Sequence, residues 1–301
     1  MSREPVWDGY FADPFLLDTG DGYVAYGSSE PFTDSGSRVT ALVSADLVTW
    51  HSAGTVLQVD AALGTDVWAP EVVHTDGRYW MYYSVGTGIH GHHLRVATSD
   101  GPLGPFVDAG VDLTPHETFA IDPHPFRDVD GTWYLFFARD VLDADRPGTH
   151  LAVARMRSMT ELEPEVWPVL EPDADWQLYE RDRSMYGRRL DWHTLEGPSV
   201  TRRGGRYWLF YSGGSWEGPG YGVSYATADQ PFGPWRHAPT QGPAVLSSAS
   251  TGLRGPGHSS LLPLPDGSTR ISFHAWDSVG TRRQMYIEPL VWGPDGPSVS
   301  P

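Results

Sequence analysis

Three acidic residues stand in similar short contexts far apart in the chain: Asp13 in ADP, Asp122 in IDP and Glu196 in EGP. Carboxylates are proton-transfer groups. Crowded in a poorly solvated place, they repel one another, so at least one holds a proton near neutrality while another stays ionised. Such an acid and base can protonate the leaving oxygen of a glycosidic bond and activate water against the anomeric carbon. Taken singly, an Asp before Pro is a turn or capping residue. Chemistry follows only if the fold brings the three together.

The elements that must do so repeat along the chain. A strand-like aromatic or β-branched run follows a glycine-containing turn five times. The copies are Asp21-Gly22 before YVAYGS, Asp76-Gly77 before RYWMYYS, Asp130-Gly131 before TWYLFFA, Gly204-Gly205 before RYWLFYS and Asp266-Gly267 before STRISFHAW. Asp-Gly and Gly-Gly between such runs predict tight type I′ hairpins, which need positive φ. Another short strand precedes each turn: ADPFLL, APEVV, DPHPF, EGPSV and HSSLL. Successive turns lie 55, 54, 74 and 62 residues apart. Five antiparallel units of this length predict an all-β, five-bladed propeller, with 1–301 as a single catalytic domain. Two packed sandwiches are the alternative, but they need no fivefold repeat.

Eight residues before the first turn residue of each unit stand Asp13, Trp68, Asp122, Glu196 and His258. The first strand of every propeller blade lines the central channel, so the repeat predicts a ring of these five residues at one end of the axis. Trp68 reads as a stacking wall for a sugar or as core. His258 reads as a metal neighbour or as a satisfied buried histidine.

The set ADP at 12–14, WAPE at 68–71, IDP at 121–123, EGP at 196–198 and GPGHSS at 255–260 resembles glycoside hydrolase family 43, from about residue 7 to about residue 293. The resemblance implies Asp13 as general base, Glu196 as general acid, and Asp122 as the residue that orients Glu196 and raises its pKa. It implies inversion in a single displacement, with no cofactor needed for the chemistry. It also implies a structural calcium ion, or ordered water, in the channel near His258. Calcium prefers oxygen ligands, so a lone histidine is thin support for the ion.

Pocket walls are expected from loops at the channel mouth. Candidate substrate-binding residues are Phe32, Trp68, His124, Trp216, Tyr221 and Arg283, with His274 beside them. An arginine of the last blade contacts sugar hydroxyls in relatives, and strand alternation lets only one of Arg282 and Arg283 face inward; Arg283 is preferred. Glu71, three residues past the ring position, is expected to make a structural hydrogen bond. The IHGHH stretch with His90, His92 and His93 is expected as a loop. Asp8, Asp18 and Asp46 are expected to serve turns. The insertion at 171–193 is expected as a loop over the mouth, closing a cleft into a pocket.

Composition narrows the partners. The formal charge is −17 and all 21 basic residues are arginine. Such a surface repels phosphate backbones and anionic lipid, which argues against nucleic acid or membrane partners and suits a neutral oligosaccharide. The chain has no cysteine, which excludes disulfides and thiolate chemistry. No signal-peptide pattern or membrane-length apolar run occurs, so a cytoplasmic location is expected. Related β-xylosidases commonly carry an appended β-sandwich, so the resemblance favours an exo-acting α-L-arabinofuranosidase on arabino- or arabinoxylo-oligosaccharides. An exo-acting β-D-xylosidase, an endo-1,5-α-L-arabinanase and a non-catalytic sugar-binding propeller are the alternatives.

Overall fold

The computed structural model describes residues 3–28, 30 and 37–299. Five four-stranded antiparallel blades follow one another along the chain. Blade 1 is β1 (Ala12–Asp18), β2 (Tyr23–Ser28), β3 (Arg38–Ser44) and β4 (His51–Gln58). Blade 2 is β5 (Asp66–Thr75), β6 (Arg78–Thr87), β7 (His90–Ser99) and β8 (Val107–Asp112). Blade 3 is β9 (Ala120–Arg127), β10 (Trp133–Val141), β11 (Gly148–Ser158) and β12 (Glu161–Leu170). After an extra strand, β13 (Leu178–Met185), blade 4 is β14 (Arg188–Arg203), β15 (Arg206–Gly213), β16 (Gly222–Ala228) and β17 (Arg236–His237). Blade 5 is β18 (Arg254–Pro263), β19 (Thr269–Trp276), β20 (Arg283–Gly293) and β21 (Gly296–Val299). The inner strands β1, β5, β9, β14 and β18 touch one another in that order, and β18 returns to β1. The chain is therefore a closed five-bladed propeller.

Alternation along the second strands explains why the blades stack. Successive side chains of a strand point to opposite faces. In RYWMYYS, Met81 and Tyr83 enter the core shared with blade 1, while Tyr82 enters the core shared with blade 3. In WYLFFA, Leu135 and Phe137 pack toward blade 2 and Phe136 toward blade 4. One hydrophobic cluster fills each of the five interfaces between blades. A buried ring such as Phe136 or Phe137 contributes about 3–5 kcal/mol on the large-to-small scale. The ring closes through the N-terminal segment: Val6 N–H donates to Met285 O at 2.9 Å and Phe11 N–H to Arg283 O at 2.8 Å.

Several local expectations change. Of the five expected turns, only Asp76-Gly77 and Gly204-Gly205 have the two positive φ angles of a type I′ turn. The first, third and fifth hairpins use longer connections, between Asp18 and Tyr23, Arg127 and Trp133, and Pro263 and Thr269. The IHGHH stretch is not a loop, because it opens β7 and is paired with β6.

Region 171–193 is likewise ordered. It forms a short 3-10 turn, Asp175–Gln177, and then a β13–β14 hairpin that reverses at Tyr186-Gly187, with φ of 52° and 70°. Its far end is anchored to blade 3. The Tyr186 hydroxyl donates to Asp140 Oδ2 at 2.6 Å, and Arg188 pairs with Asp143 at 3.2 Å. The hairpin merges into β14, a 16-residue strand whose inner half carries Glu196. The outer half runs parallel to β11, with Gly148 opposite His193, and joins blades 3 and 4 in one sheet.

That junction depends on a glycine. Gly148 has φ +147°, and a Cβ there would overlap the carbonyl oxygen of His193. Gly148→Ala is expected to push β11 away from β14 and to destabilise the protein by about 1–3 kcal/mol. Calorimetry would read this as a lowered Tm; an unchanged Tm would mean that blades 3 and 4 do not rely on the close approach.

Candidate active site

Every inner strand carries a bulge where it reaches the axis, and the first bulged residue is left-handed. These residues are Asp13 (φ 52°), Ala69 (44°), Asp122 (58°), Gly197 (57°) and His258 (48°). The pairing of each inner strand with its neighbour shifts at these points. A non-glycine residue held in this region costs about 1–3 kcal/mol, and such strain clusters at functional sites.

This corrects the ring expected from an equal offset. Asp13, Asp122 and His258 hold the equivalent position, but Trp68 and Glu196 stand one residue before it, and Ala69 and Gly197 occupy it. The cause is turn length. In blades 2 and 4 the strand runs one residue further before a two-residue turn, so a count of eight lands one residue early. Alignment on the prolines of ADP, WAP, IDP and EGP would have found this.

Asp13 is the most heavily partnered carboxylate. Its Oδ2 accepts from Ser28 Oγ, and Ser28 Oγ in turn accepts the N–H of Ala69 at 2.8 Å, which ties blade 1 to blade 2. Its Oδ1 lies 3.2 Å from His274 Nδ1, 3.4 Å from His258 Nδ1 and 3.4 Å from Arg283 Nη1. Burial alone would raise its pKa, but His258 and Arg283 outweigh it and hold Asp13 well below the usual carboxylate range. Asp13 is therefore ionised throughout the working pH range. His274 is fully buried and lowered to about 4 by burial. It is neutral, and its Nδ1 accepts the backbone N–H of Asp13 at 3.1 Å, which steadies the left-handed turn.

The other two carboxylates behave oppositely. Asp122 is pushed up to about 6, first by burial and with Asp13 adding, against the pull of His258. Glu196 is pushed up to about 7, first by burial and then by the charge of Asp122, with Asp13 adding. Asp122 does not hold the Glu196 carboxyl. Its Oδ2 accepts the N–H of Gly197 at 2.8 Å and so fixes the backbone next to Glu196. Glycine suits position 197, because at its φ of +57° a Cβ would be strained and would press to 3.2 Å from the His258 ring. The cluster thus holds an ionised carboxylate and a protonated carboxyl at one channel end, the pair that acid–base hydrolysis needs.

The expected walls divide. Arg283 faces inward: its Nη2 donates to Tyr10 OH at 2.8 Å, and its guanidinium lies 4.7 Å from the Trp216 ring centre. Arg282 turns outward onto Asp277. Trp216 is half-buried and stacks on Trp276. Trp68 is half-buried and stacks on His92, with ring centres 3.7 Å apart. Tyr221 was expected as a wall, but it is only 1% exposed and its hydroxyl donates to Glu196 Oε1 at 2.6 Å. His124 is also committed inside the protein. Its Nδ1 contacts Glu71 Oε2 at 2.7 Å and its Nε2 accepts the N–H of Val200 at 2.9 Å, a chain that stitches blades 2, 3 and 4. Glu71 thus makes the structural bond expected of it. Asp18 and Asp46 accept backbone N–H groups of their own turns. Phe32 lies outside the described residues.

Ser28 and Tyr10 were not foreseen. Ser28 ends β2 and pairs with Ala12, so it is carried to Asp13 by register alone. Tyr10 sits in no motif, and only the closure of the ring brings it to Arg283.

Among the described residues no group of three or more His, Cys, Asp or Glu is arranged to hold a metal ion. The His258 Nδ1 faces Asp13 and, at 3.9 Å, Asp122 Oδ2. Burial would lower its pKa, yet the carboxylates of Asp13, Asp122, Glu196 and Glu71 raise it. These side chains do not build the oxygen-rich shell that calcium takes. The three histidines of IHGHH also diverge: His92 Nε2 bonds to Gly88 O, whereas His93 Nδ1 meets Thr114 O and Asp112.

A model described as glycosyl hydrolases family 43 matches residues 2–297. The chain is 28% identical over 282 residues to a β-D-galactofuranosidase, xynD, of Aspergillus niger, covering 87% of this chain and 73% of that protein. It is 27% identical to α-L-arabinofuranosidase 43 of Humicola insolens, covering 95% of this chain but 60% of that protein. A crystal structure of a thermostable family-43 glycoside hydrolase superposes with a TM-score of 0.85 at 27% identity, covering 100% of this chain and 96% of that one.

The proton of the Glu196–Asp122 pair should be directly observable. A protonated-carboxyl infrared band is expected at about pH 6 and should fade by about pH 8. Glu196→Gln should remove the component that titrates near pH 7 and leave the one from Asp122 near pH 6. Asp122→Asn should move the Glu196 midpoint to lower pH, because a like charge is removed.

Proposed function

The chain belongs to glycosyl hydrolases family 43, and within that family we propose that it is an inverting α-L-arabinofuranosidase releasing terminal residues from neutral arabino- or arabinoxylo-oligosaccharides. One observation carries the mechanism: Asp13 is held ionised while Glu196, in the same cluster, is held protonated up to about neutrality. Asp13 takes a proton from water as the water oxygen attacks the anomeric carbon. The glycosidic C–O bond breaks, and Glu196 gives its proton to the departing oxygen. Solvent then returns a proton to Glu196 and removes one from Asp13. His258 and Arg283 balance the charge of Asp13 and orient it, and Asp122 keeps Glu196 protonated. Every step uses the chain's own side chains.

The substrate reading draws on relatives whose names denote furanosidases, one for arabinofuranose and one for galactofuranose. α-L-Arabinofuranose and β-D-galactofuranose share their ring configuration and differ in the exocyclic group. The net charge of −17 suits a neutral glycan and opposes nucleic acid or anionic membrane as a partner.

The test is parallel hydrolysis of 4-nitrophenyl α-L-arabinofuranoside, β-D-galactofuranoside and β-D-xylopyranoside. The arabinofuranoside is expected to have the highest kcat/KM. Asp13→Asn, which tolerates the left-handed backbone, should lower it by about 10²–10⁴-fold, and kcat/KM should decline above about pH 7 as Glu196 ionises. A dominant xyloside rate would keep the mechanism and move the substrate to xylose. No loss in Asp13→Asn would remove the base assignment.

A further inference from the structure

The expected division of labour around the acid is that Asp122 orients it, yet the hydrogen bond that Asp122 makes goes through its Oδ2 to the N–H of Gly197. Among the described residues the only hydrogen bond to the Glu196 carboxyl comes from Tyr221, at the end of the loop that joins β15 to β16. Several features are built around that contact. Tyr221 is 1% exposed. Its ring stacks on His274, with centres 5.9 Å apart and planes 15° apart, and His274 stacks in turn toward His258. Gly257 opens the space for it, since a Cβ there would overlap the Tyr221 ring. The hydroxyl is thus delivered to one oxygen of the acid by packing, not by a mobile side chain.

We propose that Tyr221 is the positioning residue of the general acid: by donating to Oε1 of Glu196 it leaves Oε2 to carry the proton that goes to the leaving oxygen. A carboxyl group rotates about its last bond and can place its proton on either oxygen. While the hydroxyl donates to Oε1, a proton on that oxygen is disfavoured, so the acidic proton is favoured on the other side. The same hydroxyl stabilises the ionised form after transfer, which opposes the influence of Asp122. Tyr221 therefore tunes the acid downward while Asp122 and burial tune it upward. The other charged or titratable groups around Glu196 are Asp13, His258 and Tyr179, from β1, β18 and β13. The same loop carries Trp216, whose ring lies against Arg283, a partner of Asp13. One short loop thus touches the environment of both proton-transfer groups.

This inference rests on the reading of Glu196 as the acid, and the experiment separates the two. The pH dependence of kcat/KM would be measured for wild type, Tyr221→Phe, Glu196→Gln and the double variant. Each would be assayed on an arabino-oligosaccharide and on a 2,4-dinitrophenyl arabinofuranoside, whose leaving group needs no proton. Tyr221→Phe is expected to move the alkaline limb upward by about one to two pH units, because a donor to the ionised form is lost. It should lower oligosaccharide turnover by about tenfold or more and dinitrophenyl turnover by much less. In the Glu196→Gln background it should add little, since its effect passes through that residue. Gly257→Ala, which displaces the Tyr221 ring, should shift the limb in the same direction and covers the case in which Tyr221→Phe folds poorly. An unmoved limb with equal losses on both substrates would overturn the proposal and leave Tyr221 as packing. A raised KM at an unmoved limb would overturn it in favour of a sugar contact. Full activity of Glu196→Gln on the oligosaccharide would instead overturn the acid assignment itself.

Discussion

Each blade reaches the axis through one residue whose backbone is left-handed, and the rest of the site depends on those five turns. The bulge gives the inner strand one extra residue against its partner and rotates the chain locally. In blades 1, 3 and 5 the left-handed residue is Asp13, Asp122 or His258, and its side chain joins the cluster at the channel end. In blades 2 and 4 it is Ala69 or Gly197, and the small side chain leaves room. Ala69 offers its N–H to Ser28, which holds Asp13; Gly197 offers its N–H to Asp122 and lets His258 pack against it. The strain of these conformations is sustained because each is tied to the next blade by a hydrogen bond or a packed ring.

Electrostatics then assigns different states to chemically similar groups. Asp13, Asp122 and Glu196 are all poorly solvated, and burial raises all three. Only Asp13 has Arg283 and two histidines around it, and it alone ends well below the ordinary range. His258 lies between Asp13 and Asp122 and keeps both from repelling without limit. Two buried cations, His258 and Arg283, shared unequally among three carboxylates are enough to separate a base from an acid. Arg283 reaches this place because β20 begins with it facing inward while Arg282, just before the strand, turns outward, and because the segment before β1 is bonded along β20.

The β13–β14 hairpin has a mechanical part in this arrangement. It lengthens the strand that carries Glu196 and pins it to blade 3 through Gly148, Tyr186 and Arg188. The acid therefore sits on a strand braced at both ends, whereas a loose insertion over the mouth would have left it less constrained.

Read alone, the sequence determined the elements and the actors. Turn signals followed by alternating aromatic runs have a local physical cause, positive φ at the turn and a two-residue side-chain period in the strand, so five blades could be counted. Asp13, Asp122, Glu196 and His258 were legible because each lies in a repeated context, and Arg283 because a strand presents alternate residues inward. What only the tertiary structure decided was register and partnership. One residue of difference between a two-residue turn and a longer one moved the axial position from Trp68 to Ala69 and from Glu196 to Gly197, a shift invisible until the strands are paired. His124 and Tyr221 looked like pocket walls by type. They serve Glu71, Val200 and Glu196 instead, because packing between blades fixes where a side chain ends: His124 lies between partners in the two flanking blades, and Gly257 and His274 of blade 5 hold the Tyr221 ring against Glu196.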